Sequence, residues 1–260
     1  FRDTLGAEAP PPPKEATETR GYQIARDEVS NPPPKIWSTK VSAPDLAEVE
    51  DACGSLKAGR ATSGELPAEL FKGSMLARRV MLEVISRIWA DAPFPRDWCE
   101  SAIRLIYKGK GDPSLASNHR PISLITCGEK LISIILCRRL TDGAEDSGFL
   151  PPSQYGFRTA RGTRQACFLA SEGIRRAKRT AKQKVHIFID YSKAFDSVAW
   201  EAIWPVLRNS GVPPELVNII ERLYASASSF LLTGGREDER GTPFDLRRGV
   251  RQGSALSPLI

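Results

Sequence analysis

The sequence predicts an α+β fold. Apolar residues recur at helical spacing through most of the chain, strand-like apolar runs occur singly between those helices, and no internal repeat is present. Residues 1–41 carry Pro10 to Pro13 and Pro32 to Pro34 among polar residues. Proline removes backbone donors and favours extended chain, so this stretch reads as a mobile lead-in to a folded domain over 42–260. A helix opens at Ser42-Ala43-Pro44-Asp45, a capping pattern, with Leu46, Val49, Cys53 and Leu56 on its inner face and Gly59 after its end. A second helix places Val80, Val84, Ile85 and Ile88 on one face and stops at Pro93 and Pro95. Residues 103–107 read as a strand, closed by a Lys-Gly-Lys-Gly-Asp-Pro turn over 108–113. Thr126 and Glu129 form a second capping box, opening a helix that buries Leu131, Ile134, Ile135 and Leu140. Residues 163–178 predict a helix with Ala166, Leu169, Gly173, Ile174 and Ala177 inward, followed by a buried strand over 185–190. Helices over 199–210 and 213–225 come next, broken at Gly211-Val212-Pro213. Strands over 230–232 and 244–246 then flank a polar loop over 234–241.

The 260 residues suffice for one large domain or two small ones, and an apolar share of 41% supports a real core. Mean hydropathy is −0.29, and no apolar run nears the roughly 20 residues that span a bilayer, so no membrane role is expected. The N-terminus lacks a charged-then-apolar signal layout and starts without Met, which suggests a partial reading frame. A net charge of +6 carries little weight by itself, whereas its distribution carries more. Between Arg158 and Lys184 nine basic residues are opposed by Glu172 alone, a field that suits a polyanion or, equally, a solvated helix face. The five cysteines are widely spaced without a Cys-x-x-Cys, and His119 and His186 form no ligand pair, so reduced thiols in an intracellular compartment, nucleus or cytoplasm, are expected.

Asp190 follows the apolar run 185–189. A carboxylate at a strand end is what a divalent-metal centre for nucleotidyl transfer needs, and it is also a common turn or helix cap. Asp196 reads as a cap for the helix near Ala199, and Phe195 as a core aromatic or a ring beneath a ligand.

Residues 190–198, Asp-Tyr-Ser-Lys-Ala-Phe-Asp-Ser-Val, resemble the first palm motif of reverse transcriptases in the form typical of non-LTR retrotransposons. Residues 249–258, Gly-Val-Arg-Gln-Gly-Ser-Ala-Leu-Ser-Pro, resemble the second palm motif, with Arg-Gln-Gly where group II intron enzymes carry Pro-Gln-Gly. Arg120-Pro121-Ile122-Ser123-Leu124 and Gln154-Tyr155-Gly156-Phe157-Arg158 look like the fingers motifs, and residues 56–69 like the block before them. Five such motifs in the expected order cover about residues 42–260.

The resemblance implies a right-hand polymerase fold, with fingers over about 42–183 and an incomplete palm over about 184–260. It implies RNA-directed DNA synthesis on an RNA template and DNA primer, using dNTPs and two Mg2+ ions. Asp190 would be the catalytic metal ligand, assisted by the Tyr191 carbonyl. Lys193 and Ala194 would meet the triphosphate through backbone amides, and Phe195 would exclude a 2′-hydroxyl. Gln252 and Gly253 would line the nucleotide pocket, and Ser257-Pro258 would start the helix behind it. Lys108, Lys110 and Arg120 would reach the triphosphate from the fingers. Arg158, Arg161 and Arg164 would contact the template backbone. The family's third palm motif, ending in x-Asp-Asp, has no counterpart in the 260 residues, and the thumb follows it. The expectation is therefore a fragment that is inactive alone. The alternatives are a non-catalytic RNA-binding remnant and a group II intron maturase-like enzyme.

Overall fold

Asp45 starts the first helix by satisfying backbone donors that a helix end leaves open. Its side chain accepts the Glu48 N–H at 3.0 Å while the Glu48 carboxylate accepts the Asp45 N–H at 3.3 Å, the reciprocal box expected there. The folded chain begins earlier than the expected boundary at 42: Trp37 is buried in the main core, and its N–H donates to the Gly211 carbonyl at 2.8 Å. A computed structural model describes residues 36–60, 62–64, 66–191, 193–232 and 240–260. Most of the proline-rich lead-in, Ala61, Ser192 and most of the 234–241 loop lie outside the described residues.

Helix α1 (Leu46–Ser55) buries Val49, Ala52 and Cys53, and α2 (Ala68–Gly73) buries Phe71. Helix α3 (Met75–Trp89), capped by Ser74, buries Met81, Ile85 and Ile88. Val80, expected on that face, is exposed instead. It lies five residues from Ile85, which at 3.6 residues per turn is about 140° around the helix. Helix α4 (Arg96–Cys99) leads into strand β1 (Glu100–Tyr107), and strand β2 (His119–Leu124) returns antiparallel to it, with Ala102 opposite Leu124 and Tyr107 opposite His119. Helix α5 (Cys127–Asp146) runs through the core and buries Leu131, Ile132, Ile135, Leu136 and Leu140, while Ile134 is half-buried.

Helix α6 (Thr163–Arg179) is present as expected, but none of its residues is buried. Ala166, Gly173 and Ala177 are half-covered, and Leu169 and Ile174 are exposed, so the predicted inward face has no surface against it among the described residues. The predicted strand over 185–190 is likewise corrected. It forms no ladder, and Val185, Ile187, Phe188 and Ile189 are 77% to 92% exposed. An apolar run becomes a buried strand only when neighbours supply hydrogen bonds and cover, and the described residues place none beside it.

Helix α7 (Ala194–Ser197) precedes α8 (Trp200–Asn209) and α9 (Pro214–Ala225), the last with Pro at its start as its sequence predicts. Strands β3 (Ser228–Leu231) and β4 (Phe244–Asp245) pair antiparallel, matching the expected hairpin. Strand β3 also runs parallel to β1, giving a mixed four-stranded sheet in the order β2-β1-β3-β4. Buried Ser101 and Ser229 hydroxyls bond each other at 2.6 Å across that parallel pair, so neither is left unsatisfied. The main core joins α1, α2, α3, α5, α8 and α9, and a smaller apolar cluster of Ile103, Ala227, Phe244 and Leu246 packs at the sheet. The result is a mixed α+β fold with a small mixed sheet, as the sequence predicts.

Candidate functional site

Three stretches far apart in sequence meet at one place. Lys193 takes a left-handed backbone, φ 51°, which turns the chain into the short helix α7. That conformation costs a non-glycine residue roughly 1–2 kcal/mol, and it recurs where function demands a turn. The 249–252 segment lies against α7 and the start of α8. Gly249 N–H donates to the Val198 carbonyl at 2.7 Å, Val250 N–H to the Phe195 carbonyl at 2.7 Å, and Trp200 Nε1–H to the Gly249 carbonyl at 2.8 Å. A Cβ at Gly249 would lie 3.0 Å from the carbonyl oxygens of Phe195 and Asp196, so the contact needs glycine there.

Gln252 is held at both ends. Its backbone carbonyl accepts the Ser123 N–H of β2 at 2.8 Å, and its Nε2–H donates to Asp196 Oδ1 at 2.8 Å. Gly253 has φ 139°, and a Cβ there would lie 2.5 Å from the Ser123 carbonyl oxygen. In the structure, the close approach that requires this glycine is therefore to β2. Asp196 is buried, and that burial pushes its carboxyl above the usual range against the Gln252 hydrogen bond, which lowers it. Its expected role as the cap of the next helix is corrected: Ala199 occupies the cap of α8 without a side-chain bond, and Asp196 bonds Gln252.

Beneath this turn lies a buried ion pair that the sequence reading missed. The Arg251 guanidinium contacts the Glu129 carboxylate of α5, donates to the Cys99 carbonyl at 2.6 Å and the Trp98 carbonyl at 3.4 Å, and lies 6.0 Å from the Tyr224 ring centroid. Arg251 and Glu129 are 4% and 1% exposed. Burial pushes the Glu129 carboxyl up, and the Arg251 charge pulls it back. Only half of the expected capping box at this helix forms. Thr126 Oγ1 accepts the Glu129 N–H at 3.2 Å, but the Glu129 carboxylate goes to Arg251, because a buried guanidinium needs a counter-charge more than a helix end needs one further acceptor. The available signal was Glu129 itself, a charge inside an otherwise apolar helical face.

The other predicted residues lie around this centre. Asp190 and Tyr191 are exposed, as are Lys193 and Ala194, while Phe195 is half-buried against the main core. Lys110 and Arg120 are exposed, and exposed Lys108 donates from Nζ to the Ser117 carbonyl at 2.9 Å. The Arg158 guanidinium is committed internally: it pairs with Glu145, whose carboxyl it holds below the usual range, and donates to the Pro151 carbonyl at 2.8 Å. Arg161 lies over the Tyr155 ring at 5.8 Å, and Arg164 is exposed on α6. Lys57, Arg60 and Lys130 line a cavity of about 620 Å3 that reaches Gly253, Ser254 and Ala255. At Ser257-Pro258 one bond from Leu259 N–H to the Leu256 carbonyl at 3.0 Å closes a turn. Among the described residues no three His, Cys, Asp or Glu side chains gather as metal ligands, so Asp190 could be only one member of a metal centre. No helix among the described residues is long and apolar enough to cross a membrane.

Residues 107–260 match the family model described as reverse transcriptase (RNA-dependent DNA polymerase). The chain is 30% identical over 177 residues to a probable RNA-directed DNA polymerase from transposon BS of Drosophila melanogaster, covering 64% of this chain and 18% of that protein. It is 30% identical over 166 residues to the Pol polyprotein of a type-1 retrotransposable element R2 from Popillia japonica, covering 64% and 22%, and 32% identical over 168 residues to its counterpart from Nasonia vitripennis, covering 64% and 15%. The chain thus spans about a fifth of the length of these relatives. The family match begins at Tyr107 in β1 and takes in β2, the α7 turn and the Gly249–Gly253 segment, the three stretches that meet around Gln252. This chain belongs to the reverse transcriptase family, in the branch of the non-LTR retrotransposon RNA-directed DNA polymerases.

Proposed function

We propose that the convergence around Gln252 is the deoxynucleotide-binding side of an RNA-directed DNA polymerase site, with fingers over about 42–183 and part of a palm over about 184–260. The observation that carries this reading is the joining of Phe195 and Asp196 to Val250 and Gln252 directly beside β2. Gln252 and Gly253 line the pocket, and Phe195 lies under the sugar, where its bulk excludes a 2′-hydroxyl. The first turn of α7 leaves backbone N–H groups outside the helical ladder, and with Lys193 in a left-handed conformation they offer donors to a triphosphate. Lys108, Lys110 and Arg120 supply positive charge from the β1–β2 side.

Asp190 and the Tyr191 carbonyl are assigned to the metal side of the site. Two Mg2+ ions would lower the pKa of a 3′-hydroxyl and neutralise a departing pyrophosphate, and they need further carboxylates that the described residues do not gather. Arg161 and Arg164 are the template-backbone contacts in this reading, and Arg158 shapes the loop that presents them. RNA template, DNA primer and dNTPs are the proposed partners, in the nucleus or cytoplasm. The test is primer extension by the full chain on an RNA template, with and without Asp190→Ala. Extension lost in that variant supports catalysis here, and extension that survives it removes Asp190 from the reaction.

The exposed basic helix α6 favours a second reading, RNA binding without catalysis. Filter binding to RNA over a salt series then gives affinity that falls with salt and weakens in Arg161→Ala and Arg164→Ala, without any extension. Salt-independent binding sinks it.

A further inference from the structure

Asp196 helps join the site but is given no contact with the nucleotide, and its placement is costly. A buried carboxylate loses hydration, and an apolar side chain of similar volume at a merely structural position would fold as well or better. Its Oδ1 takes the Nε2–H of Gln252 at 2.8 Å, while the backbone of Gln252 is pinned separately to β2 through Ser123. A primary amide presents an acceptor on one side and donors on the other in nearly the same shape, so packing alone does not choose between its two orientations. An ionised carboxylate accepts and does not donate, and so it does choose.

We propose that Asp196 is a positioning residue that fixes the Gln252 side-chain amide by accepting its Nε2–H, leaving the amide oxygen to receive a donor hydroxyl of a bound deoxynucleotide. This rests on Gln252 lining the nucleotide pocket. Asparagine at 196 can pair with either orientation and relaxes the choice, whereas leucine removes it. The backbone bonds from Gly249, Val250 and Ser123 that build the turn do not use the Asp196 side chain.

The test uses the full chain, with dTTP and Mg2+ on a poly(rA)·oligo(dT) template-primer, binding measured by equilibrium dialysis and stability by thermal melting. Asp196→Leu is expected to weaken dTTP binding about tenfold, the scale of one charge-assisted hydrogen bond, with a melting midpoint at or above wild type. Asp196→Asn falls between wild type and leucine. Gln252→Ala weakens binding as much as Asp196→Leu, and the double variant is no weaker than either. Unchanged dTTP affinity in Asp196→Leu, or additive losses in the double variant, overturns the proposal. If the wild-type chain binds no dTTP, the nucleotide-site reading falls, and with it the role given to the amide oxygen. The orienting contact is then decided by NMR. Gln252 amide protons that are protected in wild type and lose that protection in Asp196→Leu support it, and identical signals in both overturn it.

Discussion

Burying a guanidinium costs several kcal/mol unless a counter-charge and carbonyls meet it, and Arg251 has both. The two partners are not equivalent. Burial already drives Glu129 toward its neutral form, whereas an arginine stays charged. Glu129→Leu is therefore expected to cost about 3–5 kcal/mol and Arg251→Met less, with the double variant near wild type, in urea denaturation of all four proteins. Equal, additive losses would show that the pair is not coupled. At Asp196 the native pKa lies above the ordinary 3.8, so its contribution to stability is fully present below that pH and is lost as pH rises through the native value. Asp196→Asn should gain stability over wild type at pH 7 and show no difference below about pH 3.8, and a gain confined to acid would reverse the argument. Glu48 has the opposite sign: burial raises it, but Arg139 and Lys40 outweigh that, so its contribution is lost as pH falls below the ordinary 4.5. At this scale the sequence singles out Gln252 and Phe195, because their neighbours carry the motif, and the structure brings both to the convergence with residues 249–252. Glu129 and Asp196 were not legible in this way, since each looks like a helix cap until its partner from residues 251–252 is in place.

The elements separate into those that make their own boundaries and those that need neighbours. Helices α1 and α9 follow from local chemistry, an Asp-Glu capping box in one and Pro at the first position in the other. The strand expected over 185–190 needed a ladder, and its apolar run says nothing about whether one is supplied. Backbone amides at 185–189 are accordingly expected to exchange within seconds, while those of β1 between β2 and β3 stay protected. Protection at 185–189 comparable to β1 would show that a pairing strand exists. Four large apolar side chains exposed in five residues also predict self-association of this chain, reduced by Phe188→Lys in sedimentation velocity.

Across the whole molecule, stability rests on the helical core rather than on the basic helix or the apolar stretch beside it. Ile220 is fully buried and Leu169 is 53% exposed. Ile220→Ala should cost about 2–5 kcal/mol and Leu169→Ala less than about 0.5 kcal/mol, compared by chemical denaturation. A large cost at Leu169 would mean that α6 is packed in solution. The sequence by itself determined the α+β class, most helix positions, the hairpin and the family, because periodicity, caps and short motifs are local and survive in one dimension. Only the tertiary structure decided that Gln252 is clamped between Asp196 and Ser123, that Arg251 stands on Glu129, and that the run leading to Asp190 lies bare. Hydrogen bonds, counter-charges and sheet partners come from residues dozens of positions away, and spacing along a chain does not encode which of them arrive.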